Sequence, residues 1–524
     1  MSLQASISGS GSGDDSNKEI LRPLLGADSI ALLRHEEDDV IRQEGWMGAT
    51  VGAEFCLLWG LAWPLFFQTL ANEISMVVTT ALYGHLGQTD LAAANDTMSM
   101  VWFALVFVGG AQNVVYTMAP QAKGAGNRQQ VGVVLQLTLF WTCVVLTPLT
   151  MIAVYYMGDI LIAFNLIEEG ESSSGSGSGD GWQLNSHGQD EKASITTFAH
   201  TSVLWILPYV LVTTVTTWLD AISEVKGPSF ISAVWAVIMI ALSWLLMYRG
   251  WTFDIGSAGM WTMAPGGLGL SGFAYASAIC FSLQMITLYL YVFQWKKLHV
   301  KPGAEVWFGW QPKRVFHCGL NQRFIMLALP MMLQYALNSW TSSVFQLFMS
   351  SKSQLLSAAY GITSTYISTG GSVSNALFMA VSTRVGEVLG EGHVQRAKIA
   401  AVIGFIFAAA AGAVISVGIY FLRKPLANFY TESQDVANLA IDASPWVFLY
   451  YFINSATWGC WAIMQGQMRT CFPATIICLG MWFISVRKCR LGLHSKSRCC
   501  HVTHYTVTQQ AFVSCSTGIF CGHI

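Results

Sequence analysis

Long apolar stretches separated by short polar connections fill most of the chain between residues 54 and 486. A helix needs about 20 apolar residues to cross the hydrocarbon core of a bilayer. Ten stretches reach that length: 54–83, 91–118, 131–155, 199–219, 228–248, 269–294, 324–350, 355–381, 397–422 and 437–464. A shorter one follows at 472–486. The pattern predicts an all-α protein that crosses the membrane many times.

The first and the seventh of these spans share their polar positions. A proline and two amides of the first span recur 266 positions later in the seventh. The matched pairs are Pro64 and Pro330, Gln68 and Gln334, and Asn72 and Asn338. The same offset continues to Gly124 and Gly126, which match Gly390 and Gly392, and we interpret these four glycines as tight turns. If each repeat has six spans, which is an even number, both repeats begin on the same side of the membrane. We therefore predict two parallel six-helix repeats.

The matched amides are candidates for lining a cavity between the two halves. Gln68 and Asn72 lie one turn apart on the same helix face, which must point inward because lipid offers amides no hydrogen-bond partners. In a cavity the four amides would contact substrate or water. The alternative is that they hold helices together, as polar side chains do within membranes.

Prolines and aromatic residues supply further candidates. Pro64 and Pro330 each remove a backbone hydrogen bond, so each is a candidate hinge for gating, with a static kink as the alternative. Tyr335 and Trp340 flank Asn338, and we select them as cavity residues that could stack on a flat organic cation. Most of the 20 tryptophans are expected to anchor or pack the helices.

Composition and charge support a membrane protein and divide the chain. Hydrophobic residues make up 53% and charged residues 11% of the sequence, and a net charge of −2 argues against a nucleic-acid partner. Lys and Arg cluster before span one and after spans two, six and eight, which predicts a cytosolic N-terminus. The predicted divisions are a disordered cytosolic tail (1–50), an N-terminal bundle (51–295) with a flexible non-cytosolic loop (158–198), a basic cytosolic linker (296–323), a C-terminal bundle (324–486) and a tail (487–524).

The tail at 487–524 departs from the rest of the chain. Its cysteines and histidines lack the spacing of a zinc site, and its composition no longer fits a membrane span. We interpret it as a gene-model artefact such as an intron read through, rather than as a real domain. On a twelve-span plan the last span and a half is then missing or degraded.

Carboxyl groups within apolar spans are few, and each is a candidate for binding a proton. Glu73 in the middle of span one is the first choice, and Asp96 early in span two is the second. The alternative for Glu73 is a structural pairing with another helix, and for Asp96 a position in water at the outer mouth. Glu54, Asp220 and Asp442 are expected at the membrane interface.

Several motifs occur in the order found in one transporter family. They are GHLG, LAAA and MAPQAKGAG in the first half, and LALP, STRVGEVLGEG and GCWAIMQGQMRTCFPA in the second. Over about residues 50–480 the chain resembles the eukaryotic branch of the multidrug and toxic compound extrusion (MATE) family. It departs from the family pattern at Asn338 and Ser343, where relatives carry acids in span seven, and at Thr79, where a bacterial branch carries an aspartate.

The resemblance implies a non-enzymatic antiporter that exports organic cations, xenobiotics or secondary metabolites in exchange for protons, with sodium as the alternative ion. It implies twelve spans around a central cavity, in the plasma or vacuolar membrane. We expect a monomer in the lipid bilayer that binds small organic substrates and has no cofactor or metal. Two other interpretations remain: a lipid-linked flippase of related fold, and a membrane receptor or scaffold without transport activity.

Overall fold

The computed structural model describes residues 47–86, 88–156, 181–249, 251–254, 260–263, 267–298, 306–350, 354–430 and 434–477. The first half contains α1 (Met47–Leu86), α2 (Gln88–Gln112), α3 (Val115–Gly124), α4 (Arg128–Leu139), α5 (Thr147–Tyr155), α6 (Gly181–Ala221), α7 (Lys226–Tyr248) and α8 (Leu270–Leu290). Short π-helical segments extend α4 over Phe140–Leu146 and α8 over Tyr291–Trp295. The second half contains α9 (Pro312–Val315), α10 (Cys318–Ser350), α11 (Gln354–Gly390), α12 (Val394–Tyr430), α13 (Gln434–Gly466) and α14 (Cys471–Ile477).

The ten predicted spans all correspond to helices. Spans two and three are each built from consecutive helical segments, α2 with α3 and α4 with α5. Within the described residues, seven helical segments are long and apolar enough to cross a membrane, and the bent α13 is an eighth. α10 and α11 hold the positions of spans seven and eight and carry more hydroxyl and amide groups. A hairpin of β1 (Trp251–Asp254) and β2 (Met260–Met263) joins α7 to α8.

A reciprocal contact between α3 and α11 relates the two halves. A Cβ atom added to Gly124 would overlap the carbonyl oxygen of Glu387, and one added to Gly390 would overlap that of Gln121. The two contacts are equivalent under the sequence repeat, because Gly390 lies 266 residues after Gly124 and Glu387 lies 266 residues after Gln121. The Ser382 hydroxyl also donates to the carbonyl oxygen of its own repeat mate, Tyr116, at 3.4 Å over a separation of 266 residues. A local two-fold axis therefore passes between α3 and α11, and the repeats are parallel.

The four repeat-matched glycines divide into two kinds. Gly126 (φ 71°) and Gly392 (φ 87°) adopt positive φ after a helix, as expected for turns. Gly124 and Gly390 instead end α3 and α11, where the lack of a side chain lets the two helices touch through their backbones. The interpretation of all four as turns is therefore correct for only one pair.

The basic linker packs against the first half and marks one end of the bundle, called here the linker end. Gln136 on α4 donates to the carbonyl oxygen of Gly309 at 2.8 Å, and the Trp141 indole donates to Asn321 at 2.9 Å. α1 begins at the linker end, whereas α3, α6 and α11 finish there. Residues 478–524, which include the predicted tail, lie outside the described residues.

Two local features differ from the sequence analysis. The loop predicted at 158–198 is helical from residue 181 onward, and Ile195 and Phe198 on this part of α6 are fully buried. α1 and α10 continue as single helices through Pro64 and Pro330. A bend of 48° lies instead in α13, between Gln434–Pro445 and Val447–Gly466.

The reciprocal glycine contact predicts unequal effects of adding one methyl group. Gly124→Ala and Gly390→Ala should each destabilise the protein by about 1–3 kcal/mol, because the new Cβ overlaps a backbone carbonyl that cannot move aside. Gly418→Ala on α12 is the matched control, since nothing lies within 4 Å of its added Cβ. Thermal unfolding in detergent measures the difference, and equal melting temperatures for all three variants would contradict the contact.

Candidate functional site

A cavity of about 510 Å³ lies within the first half of the bundle. α1, α2, α3, α6, α7 and α8 form most of its wall, and α11 adds Asn375 and Met379 from the second half. Along α1 the lining runs from Gln68 to Tyr83, the part of the helix farther from the linker end. Asn72 and Thr80 line the cavity and are exposed, so the cavity is open along this part of α1.

A polar stripe on α1 forms one wall of the cavity. Gln68, Asn72, Ser75 and Thr79 follow the three- and four-residue spacing that places side chains on one helix face. Two hydroxyls of the stripe are satisfied within the protein: Ser75 donates to the carbonyl oxygen of Ala236 at 3.5 Å, and Thr79 donates to that of Ser75 at 2.7 Å. Gln68 also accepts a hydrogen bond from Ser229, and Asn72 is the exposed member of the stripe.

Glu73 lies half-buried on the same part of α1 and lines the cavity. Its carboxyl lies near the side chain of Ser372 on α11. One turn earlier, the Thr69 hydroxyl donates to the backbone carbonyl of Ser372 at 3.2 Å. The sequence leaves two roles open for Glu73, a proton-binding carboxyl or a structural partner of another helix. Its position is compatible with both, because it lines the cavity and also lies near a polar residue of α11.

Asp220 forms part of the cavity floor near the linker end. Its side chain is only 2% exposed and interacts with Gln68 on α1. The Ser229 hydroxyl on α7 donates to Gln68 Oε1 at 3.0 Å. Asp220 is the second-last residue of α6, near the linker end as expected, but its side chain lies inside the bundle, where Ile222 and Val225 are also buried.

Aromatic rings form the opposite wall. Tyr209 stands edge-on to three neighbours, with ring centroids 5.8 Å from Trp102, 5.7 Å from Trp205 and 5.2 Å from Phe281. All four residues line the cavity. Carboxyl groups opposite aromatic faces suit a positively charged organic molecule, because a cation is attracted by both.

The four repeat-matched amides do not share one cavity. Gln68 and Asn72 line the large cavity, whereas Gln334 and Asn338 line neither this cavity nor the neighbouring one of about 330 Å³. The two first spans instead contact opposite halves in equivalent ways, α1 packing against α11 and α10 packing against α2. The contribution of the second half comes from α11, through Asn375, which the sequence analysis missed.

The other predicted site residues are more scattered. Tyr335 lines a second cavity of about 330 Å³, which shares Trp102 and Tyr209 with the large one. Trp340 stacks on Phe103 of α2 with ring centroids 4.5 Å apart and lines neither cavity. Asp96 lies on α2, and its side chain is outside the described residues, as is that of Ser343 on α10.

Between the cavity and the linker end lies a buried ion-pair cluster. Glu54 on α1 is 0% exposed and accepts two hydrogen bonds from Arg384 on α11, at 2.7 and 2.8 Å, and one from Arg396 on α12 at 2.5 Å. Arg384 also contacts Glu387 at 3.2 Å, and Glu387 binds Lys123 of α3 at 2.7 Å. These contacts join the two halves and close the linker end.

Glu54 and Arg384 therefore differ from their predicted positions. The sequence shows Glu54 near a span end and Arg384 in a basic connection, which suggests exposure for both. In the structure α11 continues to Gly390 and brings the Arg384 guanidinium against Glu54. Opposite charges that lie 330 residues apart in the chain neutralise each other in the interior.

Two parallel helical bundles with an acidic, aromatic-lined cavity define a secondary transporter of the membrane. The MatE family model matches residues 64–245 and 330–487, one match in each half. The chain therefore belongs to the MatE family, which confirms the family resemblance.

Relatives and solved structures agree with this assignment. Human multidrug and toxin extrusion protein 2 is 24% identical over 83% of this chain and 71% of its own length. Protein DETOXIFICATION 20 of Arabidopsis thaliana is 25% identical over 80% of this chain and 76% of its own. The eukaryotic MATE transporter AtDTX14 superposes with a TM-score of 0.70 at 18% identity, covering 90% of this chain and 95% of that one. The Vibrio cholerae MATE transporter VcmN in its bent form gives 0.69 at 16% identity, covering 91% and 98%.

The buried ion pair predicts strong coupling between Glu54 and Arg384. Glu54→Gln should destabilise the protein by about 3–5 kcal/mol, because it removes the buried carboxylate that Arg384 and Arg396 share and leaves Arg384 with Glu387 alone. The double variant Glu54→Gln with Arg384→Gln should lose clearly less than the sum of the two single losses. Thermal unfolding measures all three variants.

Glu224→Gln is the control for this cycle. Glu224 forms an ion pair of 2.6 Å with Lys296, but both side chains are more than one-third exposed. Its loss should cost at most about 1 kcal/mol. Additive losses at Glu54 and Arg384 would show that the two residues do not stabilise each other.

Proposed function

We propose that this protein exports small organic cations, such as xenobiotics or secondary metabolites, in exchange for protons. The observation that carries the proposal is Glu73, a carboxyl on the wall of an otherwise uncharged and largely aromatic part of the cavity. A carboxylate there attracts an organic cation and can equally be neutralised by a proton. Two relatives are named for multidrug and toxin extrusion and for detoxification, which agrees with small organic molecules as substrates.

Exchange follows if the two cations compete for the negative charge of the cavity. An ionised Glu73 binds the organic cation, and a proton bound in the same cavity lowers the total negative charge that attracts this cation, so each cation leaves as the other enters. The closed linker end requires the Glu54 cluster to separate before the cavity can open there. The proposed cycle therefore involves two sites: the cavity, where the cations bind, and the Glu54 cluster, which separates when the linker end opens.

The proposed orientation places the linker end in the cytosol. Lys123, Arg384, Arg396 and the basic linker all lie at this end, and positive residues are retained on the cytosolic side of membranes. The cavity then opens away from the cytosol. Export across the plasma membrane or uptake into a vacuole is consistent with that direction.

The flippase alternative is less well supported by the cavity. A lipid-linked pyrophosphate needs basic side chains, but the residues that line the described cavity include two carboxyls and no Lys or Arg. The receptor alternative is separated by experiment, because a receptor binds the organic cation without exchanging it for protons.

The test is uptake of ethidium, a flat aromatic cation, by proteoliposomes that contain the full chain under an imposed pH gradient. Wild-type protein should concentrate the cation. Glu73→Gln should reduce the uptake rate by at least about tenfold, because the amide removes the charge and keeps the shape. Glu224→Gln changes the same functional group outside the cavity and should leave uptake unchanged.

The outcomes separate the interpretations. Ethidium binding by the wild-type protein without uptake would support a receptor. Uptake that follows a sodium gradient at equal pH on both sides would replace the proton by sodium. Undiminished uptake by Glu73→Gln, with a melting temperature equal to that of wild type, would remove Glu73 from the mechanism.

A further inference from the structure

Asp220 is a carboxyl that the charge pairing elsewhere in the structure leaves uncompensated. Its side chain is 2% exposed, and its Oδ1 atom has no hydrogen-bond partner among the described residues. The residue nevertheless lines the cavity, so its buried carboxyl lies directly beneath the cavity floor. A buried carboxylate in this position is costly unless a cation or a proton neutralises it.

No basic side chain among the described residues takes that role. The other titratable groups that line the described cavity are Glu73, Tyr83, Tyr116, Tyr209 and Cys280, and none of them carries a positive charge. Lys123, the basic residue of α3, is held by Glu387 at 2.7 Å and by Ser223 at 3.1 Å. Glu54, by contrast, is neutralised within the protein by two arginine partners.

The surroundings of Asp220 hold the carboxyl without neutralising it. Gln68, whose Oε1 accepts from Ser229, is the polar side chain of α1 nearest the Asp220 carboxyl. Tyr116 on α3 is 1% exposed and lies near both Asp220 and Thr217. The floor therefore consists of small polar groups from α1, α3, α6 and α7.

Asp220 and Glu73 lie at different depths of one cavity. Gln68, which touches Asp220, precedes Glu73 by five residues, and at 1.5 Å per residue this is about 7.5 Å along α1. Glu73 is beside the exposed Asn72 in the open part of the cavity, where a bulky molecule can reach it. Asp220 lies at the closed floor, where the smallest cation fits best.

We propose that Asp220 is the residue that carries the coupling proton, while Glu73 holds the charge of the organic cation. This division rests on the exchange activity proposed above. A proton from cavity water forms an O–H bond on the Asp220 carboxylate and cancels its charge. The same bond breaks to return the proton to water when the linker end opens. Because Gln68 connects Asp220 to α1, the change of charge is transmitted to the helix that carries Glu73.

The division predicts that two transport assays respond differently to the two carboxyls. Asp220→Asn should reduce pH-driven ethidium uptake by at least about tenfold. The same variant should keep ethidium counterflow, in which labelled and unlabelled cation exchange without a pH gradient, within about threefold of wild type. Glu73→Gln should lose both activities. A purely structural role for Asp220 would lower both assays together.

Matched variants and a chemical probe complete the test. Asp435→Asn removes an exposed carboxyl at the start of α13 and should change neither assay. Asp220→Glu keeps the carboxyl and should recover part of the pH-driven uptake. If Asp220→Asn does not fold, an apolar carbodiimide can modify the wild-type protein instead, since it reacts with protonated buried carboxyls. Mass spectrometry should find Asp220 modified at about pH 5 and less so at about pH 9.

The results distinguish failure of this inference from failure of the proposed function. Absence of cation exchange by wild-type protein under any gradient removes the proposed function. Wild-type exchange together with full pH-driven uptake by Asp220→Asn overturns the role of Asp220 alone. Loss of counterflow in folded Asp220→Asn, or an Asp220 that is never modified by the carbodiimide, would likewise overturn it.

Discussion

The backbone contact between α3 and α11 at Gly124 and Gly390 is the constraint on which the arrangement of the two halves depends. At that point neither helix has room for a side chain, so the two backbones set the distance between the bundles. Because the contact is reciprocal, it also defines the axis that relates one half to the other. Everything that crosses between the halves is arranged around this axis, from the Tyr116–Ser382 hydrogen bond to the Glu54–Arg384 ion pair.

The cavity is off-centre with respect to this axis. Both first spans pack across the interface between the halves, α1 on α11 and α10 on α2. The large cavity lies inside the first half, and the residues from the second half that line it belong to α11. Gln68 and Asn72 gain a functional position from this geometry, whereas their repeat mates Gln334 and Asn338 take no part in that cavity.

Carboxyl groups serve two opposite purposes in this protein. Glu54 is held by two arginines, so its charge is compensated within the protein in this closed arrangement of the linker end. Glu73 and Asp220 line a cavity without any basic partner in its described wall, so their charge must be balanced by something that enters from outside. This difference lies in the neighbours and not in the residues, because the same functional group is neutralised in one place and left available in the other.

The sequence by itself determined the membrane helices, the duplication and the family. The length of the hydrophobic runs indicates the membrane helices, the constant offset of 266 residues indicates the duplication, and local motifs indicate the family. All three signals can be read from the order of residues along the chain. It also singled out Glu73, since an acid in the middle of an apolar span is conspicuous in any fold. Only the tertiary structure decided the surroundings of Glu54, Arg384, Asp220 and Asn375, which are near span ends or are inconspicuous in the sequence. Burial and pairing depend on which helices meet in space, and those helices are separated by hundreds of residues along the chain.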